Sequence, residues 1–208
     1  MTPLPTGYRA YVANVGIKDD ADDFVVVACD APCTSLGVFT ISSFAGPSVI
    51  VSRQHLVSPT AQAVVVISKN ANVATGAEGL ANAREVVDGV AAAIGCVATD
   101  VLIASTGVIG RQYPMDRVRA GLAAIPSPLP SLDADIVAAG IMTTDTVAKV
   151  ASTSVGAARI VGVAKGVGMI EPNMATLITL LFTDAHVAAD DLDPIFRRVI
   201  DRTFNCVS

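Results

Sequence analysis

Short β-branched runs dominate the first seventy residues. Residues 24–29, 35–40, 48–52 and 63–68 are rich in Val, Ile and Phe, and Gly, Pro, Asp and Ser separate them, a pattern that predicts strands. The period then changes. Leu80, Ala83, Val87, Val90 and Ile94 recur at three- and four-residue steps, which predicts a helix over 77–94 capped by Gly95. Residues 100–104 read as a buried strand entering a turn at 105–110. Helices over 115–124 and 132–142 follow, with a Pro-rich loop between them. Two β segments come next, near 146–152 and 158–164, then a glycine-broken turn over 165–175 and a strand from Thr176. Leu192, Ile195, Phe196, Val199, Ile200 and Phe204 mark a last amphipathic helix, with Asp190 or Asp191 as cap and Pro194 in its first turn. Strand blocks mixed with helices predict a layered α+β fold.

Composition narrows the classes of function. The 208 residues fit one domain, or one and a fragment, and 52% apolar against 16% charged content supports a large core. No Trp and only 4% aromatics argue against stacking platforms for single-stranded nucleic acid, and a net charge of −5 argues against a phosphate-binding surface. Mean hydropathy is positive, at +0.58. Yet no apolar run reaches the roughly 18 residues that span a bilayer. The N-terminal residues lack a basic stretch followed by an apolar block, so the expected setting is cytoplasmic. Cys29, Cys33, Cys96 and Cys206 are dispersed without a zinc-binding pattern and are expected to be buried free thiols. His55 and His186 are expected on the surface, His55 in an exposed loop, and no nucleotide-binding or metalloprotease signature occurs.

One segment carries coherent chemistry. Lys165-Gly-Val-Gly-Met-Ile-Glu-Pro-Asn-Met-Ala-Thr176 is a glycine-rich polar turn that runs into an apolar strand. The glycines allow the backbone strain that an N-to-O acyl shift needs, and small Ala175 leaves its carbonyl open to the Thr176 hydroxyl. Cleavage there would make Thr176 a new N-terminus whose own amine, with a reference pKa of about 7.7–8.0, can act as base. Lys165 could supply positive charge to a substrate carboxylate. Ser105-Thr-Gly107, after a strand, can aim a hydroxyl and a backbone N–H at one point, as in an oxyanion hole. Taken singly, Met142-Thr-Thr-Asp-Thr146 reads as a polar cluster at a helix end, and Lys69-Asn-Ala-Asn72 as an Asx-type turn.

Together these pieces resemble the ornithine acetyltransferase family, also called glutamate N-acetyltransferases or the ArgJ family. The matching motifs are Lys69-Asn-Ala-Asn-Val-Ala-Thr-Gly76, Ser105-Thr-Gly-Val-Ile-Gly110, Met142-Thr-Thr-Asp-Thr146 and the Lys165 to Thr176 segment, in the family's order. The Gly110-Arg-Gln-Tyr-Pro-Met115 context looks like the paralogue found in clavulanic acid gene clusters.

The resemblance implies a self-cleaving, N-terminal-nucleophile-like enzyme with DmpA/ArgJ-type αββα layers. It divides the chain into an α chain, 1–175, and the start of a β chain, 176–208, incomplete at its C-terminus. Thr176 would take acetyl from N-acetylornithine, release ornithine and pass the acetyl to glutamate; some members also use acetyl-CoA as donor. Thr106 and Gly107 match the oxyanion-stabilising pair, and Thr143 and Lys165 match substrate-binding positions, with Thr144 as the alternative to Thr143. No metal or organic cofactor is implied. The α and β chains of one precursor would assemble into a hetero-oligomer. Two other readings remain: a DmpA-type aminopeptidase, which would keep the nucleophile and hydrolyse peptides, and an inactive truncated chain.

Overall fold

The structure, a computed structural model, describes residues 1–18, 20–167 and 177–206. Its first sheet follows from strands that are apolar on both faces. Strands β1 (Tyr8–Ala13), β2 (Phe24–Thr34), β3 (Thr60–Asn70) and β4 (Val101–Val108) pair in that order. The first two pairings are antiparallel and β3–β4 is parallel. Phe24, Val26, Val65, Ile67, Val101 and Ile103 point to one side. There they pack with helices α1 (Pro47–His55), α2 (Gly76–Ile94) and α3 (Met115–Ala123). Helix α2 is the crossover that a parallel β3–β4 pair requires, and Gly95 caps it in the left-handed conformation, φ 77°, as predicted.

The opposite side of that sheet forms a second core. Val25, Val27 and Val66 meet helix α4 (Ala134–Gly140), which packs on strands of both sheets, and Val161, Val163 and Phe182 from a second sheet. That sheet is an antiparallel meander of β5 (Lys149–Val155), β6 (Ala158–Lys165) and β7 (Ile178–Thr183). A last helix, α5 (Ala189–Arg202), leaves Ile195 and Val199 close to half exposed. Among the described residues no helix is long and apolar enough to cross a membrane.

Several expectations are corrected. Residues 48–52 are helical, because Pro47 starts a helix whose useful face is not its Val and Ile run but Ser48, Val51, Ser52 and His55, at helical spacing. Ser52 Oγ donates to the Ile103 carbonyl (2.7 Å) and accepts the Ile103 N–H (2.8 Å), while His55 Nδ1 donates to the Val101 carbonyl (2.8 Å). Helix α1 thereby covers the outer edge of β4, which would otherwise be an open strand, and His55 is half-buried rather than in an exposed loop. Residues 35–40 are irregular; with β4's edge covered, that run lies beside α1, where Arg53 sits 5.8 Å from the Phe39 ring centre. Strand β1 adds to the predicted runs, and β4 continues through the expected turn to Val108. The cysteines are free, but Cys29, Cys33 and Cys96 are only half-buried and Cys206 is exposed. The first two flank the irregularity where β2 loses register with β3, at the edge of the packed core. Helix α5 begins before the expected cap, so Asp190 and Asp191 fall in its first turn.

Ile141 is fully buried at the end of α4, in the core between the sheets. Ile141→Ala should cost about 2–5 kcal/mol by lost burial and residual cavity, whereas Val199→Ala on α5 should change stability by no more than about 0.5 kcal/mol. Urea unfolding of both variants checks this contrast.

Candidate functional site

Strand alternation brings Thr106 and Lys165 together. Along β4, Ile103 and Ser105 turn toward the helices; Ser105 Oγ bonds Ser48 Oγ of α1 at 2.6 Å and also meets the Tyr113 hydroxyl. Thr106 therefore turns to the other face. Along β6, Val161, Val163 and then Lys165 point into the core between the sheets. The two residues meet there: Lys165 Nζ donates to Thr106 Oγ1 at 3.0 Å, and they are 3% and 1% exposed.

An ammonium has donors and no acceptor, so the Thr106 oxygen must accept this bond, which leaves its single O–H to donate elsewhere. Among the described residues the Thr106 hydroxyl makes no other hydrogen bond. Burial pushes the Lys165 pKa down, Asp145 opposes that shift, and the positive charges of Lys149 and Lys69 add to it.

Gly107 follows with φ 135°, in register with Lys69. A Cβ there would come within 2.1 Å of the Lys69 carbonyl carbon, so only glycine fits the approach of the two strands. Lys69 itself is at φ 75°. The residues after it form a buried network: Asn70 Oδ1 accepts the Asn72 N–H (2.8 Å), as the predicted Asx turn requires. Asn72 Nδ2 donates to the Gly79 carbonyl (3.0 Å), and Thr75 Oγ1 donates to Asn72 Oδ1 (2.8 Å). The Ala71 N–H reaches the Val108 carbonyl (2.9 Å) and the Gly110 N–H reaches the Val73 carbonyl (2.8 Å). The Lys69–Gly76 motif thus braces the end of β4 just beyond Gly107.

A third piece is the loop after α4. Lys69 Nζ donates to the Met142 carbonyl, and burial lowers the Lys69 pKa. Thr143 is half-buried and Thr144 exposed, which distinguishes the two. The Thr143 N–H points at Asp145 Oδ2 (3.4 Å), Asp145 Oδ1 accepts the Gly166 N–H (2.8 Å), and Lys149 Nζ closes on the same oxygen. Burial alone would raise the Asp145 pKa. The bonds from Lys149, Gly166 and Thr143 outweigh it and hold the pKa down at about 2.

Of the residues singled out in the sequence, Thr106, Gly107, Lys165 and the Thr143 loop come to one place. Ala175 and Thr176 lie outside the described residues, but Lys165 and Ile178, which bracket them, are register partners in the second sheet. Sequence reasoning placed Asp145 and Lys69 inside motifs without giving either a role, and did not single out Lys149. Asp145 stood in a hydroxyl-rich cluster that looks the same whether solvated or buried. Lys149 carried no signal at all.

Known proteins share both the sequence and the fold of this chain. The ArgJ family matches residues 9–208. The chain is 54% identical over 204 residues to arginine biosynthesis bifunctional protein ArgJ 2 of Nostoc sp., covering 98% of this chain and 53% of that protein. It is 53% identical over 205 residues to glutamate N-acetyltransferase Oat2 of Streptomyces clavuligerus, covering 98% and 52%. The chain thus spans about half the length of these relatives. The crystal structure of ornithine acetyltransferase from Mycobacterium tuberculosis, complexed with ornithine, superposes with a TM-score of 0.72 at 30% identity, covering 85% of this chain and 96% of that one. The ArgJ bifunctional protein from Bacillus halodurans gives a TM-score of 0.65 at 25% identity, covering 88% of each chain. The mixed α+β fold is shared with both, and the chain belongs to the ArgJ family.

Proposed function

We propose that this chain is the nucleophile-bearing part of a cytoplasmic glutamate N-acetyltransferase that moves acetyl from N-acetylornithine to glutamate through an acetyl-threonine intermediate. The observation that carries the reading is the buried Lys165–Thr106 contact beside Gly107, at the end of the strand that leads to Thr176. Family membership and the printed activities of the relatives support it. They also favour transfer over peptide hydrolysis. In this reading the activity belongs to a protein of the relatives' full length, with the αββα layering completed there, an α chain ending at Ala175 and a β chain beginning at Thr176.

The chemistry proceeds in two stages. First, Thr176 Oγ attacks the Ala175 carbonyl, the peptide C–N bond breaks, and water hydrolyses the resulting ester, leaving an Ala175 carboxylate and a free Thr176 amine and hydroxyl. Next, that hydroxyl attacks the acetyl carbonyl of N-acetylornithine while the amine takes its proton. The Thr106 O–H and the Gly107 N–H would hold the oxyanion. The C–N bond then breaks, the proton passes to the departing ornithine amine, and acetyl stays on Thr176. The glutamate amine attacks that ester and leaves as N-acetylglutamate, restoring the threonine. Lys165 and Thr143 would hold the substrate's polar groups. No step of this reading calls for a cofactor, and acetyl-CoA would serve as a second donor.

Denaturing electrophoresis with N-terminal sequencing of the full-length protein should show a fragment beginning Thr-Leu-Ile. Thr176→Ala should remain one chain and transfer no acetyl; a cleaved Thr176→Ala protein would rule out the nucleophile. In separately prepared, already cleaved enzyme, Thr106→Ala should lower kcat by about 10²–10³ if its hydroxyl serves the oxyanion, with Thr106→Ser retaining most of the rate. Unchanged kcat in Thr106→Ala would remove that role.

A further inference from the structure

The loop between α4 and β5 contains one carboxylate among three lysines. Asp145 has no exposed side-chain surface, and Lys149 is its ion-pair partner from β5. The same carboxylate takes the N–H of Gly166, the residue after Lys165, and faces the N–H of Thr143. Lys69 of β3 is tied to the preceding carbonyl, that of Met142. The charged groups acting on Lys165 are therefore Asp145 from the loop, Lys149 from β5 and Lys69 from β3, with the Thr106 hydroxyl of β4 as its hydrogen-bond acceptor. Among these charged groups of the described residues, Asp145 alone favours the ammonium.

We propose that Asp145 is a positioning residue: its carboxylate pins the backbone at Gly166 and supplies the negative charge that keeps Lys165 an ammonium on Thr106. The proposal deepens the transfer reading, since it rests on Lys165 and Thr106 belonging to that site. It differs from a merely structural tie in the sign of one effect. Removing a carboxylate that only braces the loop would let water reach Lys165 and raise its lowered pKa toward the ordinary lysine value. Removing a carboxylate that holds the charge leaves Lys165 buried with two other lysines, and its pKa falls further. Asparagine separates the two, because its carbonyl oxygen can still accept the Gly166 N–H while its charge is gone.

The test is a pH titration of the Lys165 ε-carbon resonance in protein labelled with ¹³C at lysine Cε, assigned with Lys165→Arg and needing no turnover. Asp145→Asn should move the Lys165 midpoint down by about one pH unit or more, and Asp145→Glu should return it toward the wild-type value. An unchanged or raised midpoint in Asp145→Asn overturns the proposal. Should that variant not fold, Lys149→Met and the double variant D145N/K149M repeat the comparison without an unpaired Lys149. The double variant should titrate below Lys149→Met, and equality between them overturns the proposal equally. In the full-length enzyme the alkaline limb of kcat/KM should follow the Lys165 midpoint. A midpoint that moves while that limb stays fixed upholds Asp145's hold on Lys165 and overturns the place given to Lys165 in acetyl transfer.

Discussion

The ammonium of Lys165 sits between two sheets with almost no contact with water, and a cation there has to be held by acceptors the fold supplies. Leaving it unpaired would cost several kcal/mol. The fold answers from both sheets: Thr106 of the first accepts its hydrogen bond, and Asp145, beside the end of the second, supplies the opposing charge. Much of the surrounding geometry follows from that requirement. The loop after α4 must pass close enough for Asp145 to reach the Gly166 N–H, and α4 meets that need by packing on strands of both sheets. The two sheets are thus joined by an apolar core at their centre and by a small charged cluster at one end.

That end is built on an approach that only glycine permits. Where β3 and β4 run parallel, Gly107 lies against the Lys69 backbone with no room for a side chain. Lys69 takes a left-handed conformation there and sends its ammonium to the Met142 carbonyl. The following Asn70, Asn72 and Thr75 satisfy one another and the local backbone. A buried polar network of this kind stabilises only when its members are paired. Its place beside Gly107 explains why so polar a motif sits at the end of a strand made of Val and Ile. Polar residues here do not mark a surface turn; they fix the position of a glycine N–H.

These particulars mark how much was legible in the sequence. Helix α2 and its Gly95 cap could be read because apolar periodicity and a left-handed cap are local properties. The run at 48–52 could not, because its β-branched residues favour a strand while its fate depended on Ser48, Ser52 and His55 meeting the edge of β4, a tertiary event. Thr106, Gly107, Thr143 and Lys165 stood out through their motifs, and the fold brings them to one place. Lys165 on its own looks like any surface lysine, and only the facing of β4 and β6 buries it. Asp145, in an irregular loop, and Lys149, at the start of β5, are four residues apart, and no helical or strand period spans them to announce a pair.

The direction of the Lys165–Thr106 bond links charge to geometry. While Lys165 is an ammonium it can only donate, so the Thr106 oxygen accepts and its one proton is directed away from the lysine. A neutral amine in the same place has a lone pair, and Thr106 could then turn its proton inward to bond it. The hydroxyl would be equally satisfied and equally buried, yet it would no longer offer a donor to a developing oxyanion. Donors for such an anion act by being oriented before the charge appears. In the proposed reaction, keeping Lys165 protonated is therefore a way of keeping Thr106 oriented, and the carboxylate beside it would act on the oxyanion through one ammonium and one hydroxyl.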